Sequence, residues 1–164
     1  MPNPLLKMPP DTLNTIGLLT RREIEVCILA PLIKALSAEF GVEKVREILR
    51  QTIAGIAWQL GAQLAASLDD NSLEQFIEVL DGWKGDDSLQ IEVLERSETR
   101  YCFHVQRCRY AEMYRSLGVP ELGYILSCSR DFNLAEGFNP RLRLTRTQTI
   151  MEGALHCDFH FEMQ

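Results

Sequence analysis

The chain has 164 residues, a formal net charge of −6 and 46% hydrophobic residues. That length predicts one domain, able to bury about two-thirds of its unfolded surface without disulfides or metals. The acidic balance excludes nucleic acid as an expected partner, because phosphate contacts need a basic surface. No apolar run reaches the ~20 residues of a membrane span, so no membrane partner is expected either.

Residues 1–19 read as a proline-containing arm, and 20–164 as a single domain. The start, MPNPLLKMPP, has no apolar stretch of the secretory kind. The five cysteines then read as reduced thiols in a cytoplasmic protein. Thr20 and Glu23 form a T-x-x-E capping box that predicts a helix start. Its apolar positions are Ile24, Cys27, Ile28, Pro31, Leu32, Ala35, Leu36 and Phe40, and Gly41 is the expected stop. A second helix is predicted from Val42 to Ser67. Its small residues, among them Ala54, Gly55, Gly61 and Ala62, permit close approach of a neighbouring helix or subunit, and a homodimer is one expected assembly. A third, shorter helix starts at Ser72 with Gln75 as its capping partner and ends near Gly82.

After WKGDD the period becomes alternating, at Ser88–Leu94 and Thr99–Cys108, with Glu95–Glu98 as the turn. Strict alternation puts Tyr101, Phe103 and Val105 on one face and Cys102, His104, Gln106 and Cys108 on the other. A helix is predicted from Tyr110 to Leu117 and a further helical turn at Pro120. Residues Cys128–Pro140 read as a loop. Leu142 onward reads as strand to the C-terminus, with a bulge near Gly153. Helices followed by strands predict an α+β fold, with N-terminal helices on one face of a mainly antiparallel C-terminal sheet.

Candidate chemistry gathers in the back half. Between Arg100 and Arg146 there are eight arginines against four acids and no lysine, whereas the rest holds nine Lys/Arg against nineteen acids. Arginine pairs bidentately with carboxylates, so this segment points to a small anionic molecule as partner. Arg146 follows Leu142 and Leu144 in parity and is directed inward, where it needs either a substrate carboxylate or Asp131 or Glu152 as partner. Cys108, Cys128 and Cys157 lack the spacing of a structural zinc site. They remain candidates for catalysis, as do Asp131 and Asp158. Strand parity sets Cys157 with Leu155, Phe159 and Phe161, and sets Asp158 on the opposite face. Thr147, Gln148, Thr149, Glu152 and His104 complete the polar set available to a substrate.

The motifs CRYAEMYRSLGVPELGYILSCSRDF, EGFNP and RTQTIMEGALHCDFHF, spanning Cys108 to Phe161, resemble those of the L-2-amino-thiazoline-4-carboxylic acid hydrolase family. The front segment REIEVCILAPLIKALSAEFG fits that family more loosely. The resemblance implies a hydrolase that opens a carboxylate-bearing cyclic amidine to a carbamoyl-cysteine. Such chemistry needs a nucleophile or base, a proton donor and a carboxylate anchor. Cys157, Asp131 or Asp158, and Arg146 are residues of those types. A thiolate and a metal-activated water both fit, so the cofactor is either none or a divalent metal. A sensor or carrier domain that binds a ligand in the same pocket without turnover is the alternative from another class.

Overall fold

The computed structural model describes residues 16–164. The arm expected over 1–19 therefore lies outside the described residues up to position 15. Leu18 and Leu19 already belong to the first helix, α1 (Leu18–Phe40). Helix α1 starts two residues before the expected capping box, because Leu18 and Leu19 pack against a buried apolar cluster and extend the helix backward. Gly17 is the N-cap, with no side-chain capping bond.

The face of α1 that points inward also differs from the expected stripe. Ile24, Ile28, Leu32 and Phe40 are half or more exposed, whereas Arg22, Val26 and Ile33 are buried. Both faces of this helix are apolar, so periodicity alone does not choose between them.

Gly41, at φ +86°, ends α1 as expected and leads directly into α2 (Val42–Ser67). Helix α3 (Leu73–Asp81) is capped by Ser72, whose side chain accepts from the Gln75 backbone N–H, and it runs into a 3₁₀ turn at Gly82–Asp87. Strands β1 (Leu89–Arg96) and β2 (Arg100–Cys108) follow as an antiparallel pair. Next come α4 (Arg109–Ser116) and α5 (Pro120–Gly123), the latter continuing through a π-helical turn at Tyr124–Cys128. The segment expected as a loop instead holds α6 (Arg130–Phe138).

The expected terminal strand is two strands, β3 (Leu142–Thr145) and β4 (Cys157–Met163), which pair antiparallel. Between them the chain passes through a short 3₁₀ turn and Gly153 at φ +103°, a conformation that favours glycine. Leu155 accordingly does not share a strand face with Cys157; it is almost fully exposed.

The sheet order is β1-β2-β4-β3, all neighbours antiparallel, so the fold is α+β as expected. Alternating residues Tyr101, Phe103, Val105, Cys157, Phe159 and Phe161 face one core together with Phe76 and Phe138. Phe103 and Phe159 stack at 4.8 Å and 8°, and Phe76 meets Phe161 edge-on at 5.2 Å. Burying each such phenylalanine side chain contributes roughly 1.5–3 kcal/mol.

One irregularity in β2 positions the site. Gln90 pairs with Arg107 but Ile91 pairs with Val105, which leaves Gln106 as an extra residue opposite the partner strand. An inserted residue reverses side-chain parity beyond it. Cys108, expected on the outer face with His104, is thereby turned to the inner side, where Val105 already points.

Candidate functional site

A cavity of about 140 Å³ lies between α1, α2, the π turn, α6 and the inner face of the sheet. Its walls are largely apolar: Leu18, Ala57, Leu60, Leu89, Val105 and Leu134. Into this surround project Cys108, Cys128, Cys157, Asp131, Arg146, Arg130, Arg22 and Tyr110.

Each thiol arrives by a different route. Cys108 ends the bulged β2 and caps α4, its sulfur accepting from the Ala111 N–H at 3.4 Å. Cys128 closes the π turn, where the i→i+5 bond from Ser129 N–H to the Tyr124 carbonyl replaces α-helical bonding. Cys157 opens β4, and its sulfur accepts from the Ile150 N–H at 3.2 Å. Burial pushes the Cys108 thiol up to about 11 and the Cys128 thiol well above its ordinary value. The Cys157 thiol is also raised, chiefly by burial, although the Ile150 N–H acts in the opposite sense. All three are neutral S–H groups at pH 7.

Asp131 stands in the first turn of α6. Burial raises its carboxyl to about 6, in spite of Arg146, Arg130 and Arg22 nearby. Its Oδ2 accepts from Arg146 Nη1 at 2.5 Å, and its Oδ1 has no hydrogen bond from any described residue. Arg146 Nη2 donates to the Cys128 carbonyl at 2.8 Å. The Arg146 guanidinium also lies 5.0 Å from the Phe132 ring centre and 4.8 Å from that of Phe159. Its side chain is 2% exposed. Burial alone would lower its pKa, but Asp131 and Cys128 outweigh that and raise it. Of the two protein partners open to Arg146 on sequence grounds, Asp131 rather than Glu152 is the one the fold supplies.

The remaining sequence candidates lie outside the cavity walls. Asp158 points away from the core and accepts from the Thr147 N–H and hydroxyl and from the Gln148 N–H, at 2.6–3.2 Å. Burial would raise its carboxyl, but those three donors outweigh it and hold the carboxyl below its usual value. Gln148 also reaches the His156 carbonyl and ring at 3.0 Å. The His156 ring stacks on His104 at 4.1 Å, on the outer face of the sheet. Thr149 and Glu152 form a reciprocal cap, with Thr149 Oγ1 donating to Glu152 Oε2 at 2.8 Å and accepting from the Glu152 N–H at 3.1 Å. The polar residues of RTQT and MEG thus tie the β3–β4 connection and hold Arg146 and Cys157 in place.

Three cavity residues escaped the sequence reading. Arg130 lies in the segment whose sequence reads as loop, and Tyr110 stands at the start of a helix whose spacing does not single it out. Arg22 shares the inward face of α1 with Val26 and Ile33, a face the stripe reading did not select. No group of three or more His, Cys, Asp or Glu among the described residues is placed to hold a metal ion. No described helix is long and apolar enough to cross a membrane.

Fold and cavity together define a small α+β domain with a half-open cavity, walled by apolar side chains and carrying thiols, one carboxylate and guanidinium groups. Residues 21–161 match the model of the L-2-amino-thiazoline-4-carboxylic acid hydrolase family, and the chain belongs to that family. Membership supports a hydrolase-type assignment. None of the curated proteins matches the chain. Among solved structures it is similar to the phenol-responsive sensory domain of the transcription activator PoxR with phenol, at 12% identity and TM-score 0.52, covering 83% of this chain and 73% of that one. It is also similar to a trafficking protein particle complex subunit 3 from Naegleria fowleri covalently bound to palmitic acid, at 9% identity and TM-score 0.52, covering 88% and 96%. At these identities the likeness is one of fold.

Proposed function

We propose that the protein hydrolyses a small, carboxylate-bearing cyclic amidine of the 2-amino-thiazoline-4-carboxylate kind to a carbamoyl-cysteine. The observation that carries this reading is the carboxyl of Asp131, raised to about 6 and with one oxygen unbonded, on the wall of a half-open cavity in a chain of this family. A general base works best when its pKa lies near the working pH. Asp131 meets that requirement, whereas the three thiols stay protonated and would be slow nucleophiles.

The reaction then runs through water. Asp131 takes a proton as the water oxygen attacks the ring carbon between sulfur and nitrogen. A tetrahedral intermediate forms, and the bond from that carbon to ring sulfur or ring nitrogen breaks. Asp131 returns the proton to the departing atom, and one water has been added in all. Arg146 fixes the Asp131 carboxylate through Oδ2 and leaves Oδ1 for this exchange. The substrate carboxylate faces the guanidinium-bearing part of the wall.

Incubating the purified protein with 2-amino-thiazoline-4-carboxylate, with and without added divalent metal, is expected to yield carbamoyl-cysteine, read by mass spectrometry as substrate plus one water. Asp131→Asn should lower the rate by about 10²–10⁴-fold. The rate of the unaltered protein should rise through pH ~6 as Asp131 ionises. A ligand-binding domain without turnover is the second reading, favoured by the apolar walls and the protonated thiols. Thermal stabilisation by the substrate with no product formed in either condition would establish it in place of the hydrolase.

A further inference from the structure

The cavity wall is short of one negative charge. Three guanidiniums line it, those of Arg22, Arg130 and Arg146. Arg22 is bonded to Glu25 at 2.5 Å and Arg146 to Asp131 at 2.5 Å. Arg130 makes no hydrogen bond or ion pair with any described residue, although most of its surface is covered. Burial and the neighbouring Arg22 depress it to about 10, so it is still charged at neutral pH. A half-buried guanidinium on a cavity wall, with no hydrogen bond or ion pair to a described residue, is open to an anionic ligand.

A buried hydroxyl on the same wall is unsatisfied. Tyr110 is 9% exposed and its hydroxyl has no hydrogen-bond partner, the one such buried side-chain atom among the described residues. Ser88 lies close enough to influence this phenol, yet the two hydroxyls do not meet in hydrogen-bonding geometry. Tyr110 therefore has a free O–H donor beside a cavity that also carries a free guanidinium.

We propose that Arg130, helped by the Tyr110 hydroxyl, is the subsite that receives the carboxylate of the ligand, while Arg146 serves only to position Asp131. This rests on the reading of the cavity as the substrate site, but it assigns the anchor to residues that neither the motifs nor the family resemblance singled out. A single carboxylate accepts from the guanidinium fork and from one hydroxyl at once. It also completes the charge balance: three cations against Glu25, Asp131 and the ligand. The apolar walls take the rest of the ligand, so the class is a small carboxylate with a compact, weakly polar body.

The test uses thiazolidine-4-carboxylate, which lacks the amidine and has no such bond to hydrolyse, and its neutral carboxamide, with affinities measured by calorimetry on the intact protein. The unaltered protein should prefer the carboxylate by about 10-fold or more, since a hydrogen bond to a charged group is worth that factor. Arg130→Gln should abolish the preference, and Tyr110→Phe should reduce it. In the empty protein, Arg130→Met should melt no lower than the unaltered chain, because the guanidinium has no ion pair or hydrogen bond to lose. A carboxylate preference that survives in Arg130→Gln overturns the assignment, as does failure of the unaltered protein to prefer the carboxylate. A marked loss of melting temperature in Arg130→Met overturns it too, by showing a structural role. Because these readouts are of binding, a carboxylate preference in the unaltered protein that Arg130→Gln abolishes, without turnover of 2-amino-thiazoline-4-carboxylate, rejects the hydrolase and leaves the subsite standing. Turnover with an unchanged KM in Arg130→Gln does the reverse.

Discussion

Arg146 shows how much one side chain can be asked to do. Its guanidinium is gripped by Asp131 and the Cys128 carbonyl and held between two phenylalanine rings. Parity along β3 was enough to place it inward. The choice among its partners was not legible, because it depends on where α6 starts relative to β3. Truncating Arg146 to Ala leaves the Asp131 carboxylate buried and unpaired, an expected loss of about 3–5 kcal/mol in denaturant unfolding. Arg146→Lys keeps the charge but cannot bond two acceptors in one plane or stack on both rings. Its stability should fall between the two. A stability for Arg146→Ala within 1 kcal/mol of the unaltered chain would show that the pair is not holding the fold.

At the scale of elements, the helix that carries Arg130 and Asp131 is fixed by a crossing of two glycines. A Cβ on Gly61 of α2 would lie 2.2 Å from the Leu134 carbonyl oxygen, and one on Gly137 of α6 would lie 2.1 Å from the Trp58 carbonyl oxygen. Neither neighbour is a flexible side-chain end, so the helices must part to admit a methyl group. Gly137→Ala should destabilise at the upper end of the roughly 1–3 kcal/mol typical of overpacking. It should also weaken carboxylate binding, because α6 moves away from the cavity. A denaturation midpoint unchanged in Gly137→Ala would contradict so close a crossing. The small residues of α2 did signal close approach, and the partner proves to be α6 of the same chain. Helix α6 itself was read as loop because Ser-Arg-Asp, Gly137 and Asn139-Pro140 all resemble turn chemistry. Only nine residues long, it is held by its packing on α2, and no local pattern displays a tertiary contact of that kind. By contrast, α2, Gly41 and the Ser72 cap were readable, since each depends on neighbours in sequence.

Over the whole molecule, the cavity makes stability depend on pH in an unusual direction. The thiols of Cys108, Cys128 and Cys157 are raised, Arg130 titrates only near 10 and Arg146 is raised, so of these groups with Asp131 only the carboxyl changes charge between pH 5 and 8. A carboxyl that is depressed in the folded state loses stability as pH falls, and Asp158 belongs to that kind below its ordinary value of 3.8. Asp131 is the reverse. Its folded value of about 6 exceeds its ordinary 3.8, so between those limits the native state binds more protons than the unfolded chain. Stability from this group therefore rises as pH falls through 6 and is fully lost above it. Integrated from pH 7.5 to pH 5, the gain is on the order of 1 kcal/mol, or ~2–4 °C in Tm for a chain of this size. The comparison that isolates it is the melting temperature of the unaltered protein minus that of Asp131→Asn, followed across pH, because all other groups cancel in the difference. That difference should grow towards acid between pH 7.5 and 5. A difference that shrinks instead would mean that Arg146 holds Asp131 ionised well below 6, and the carboxylate would then be too weak a base for the role proposed for it.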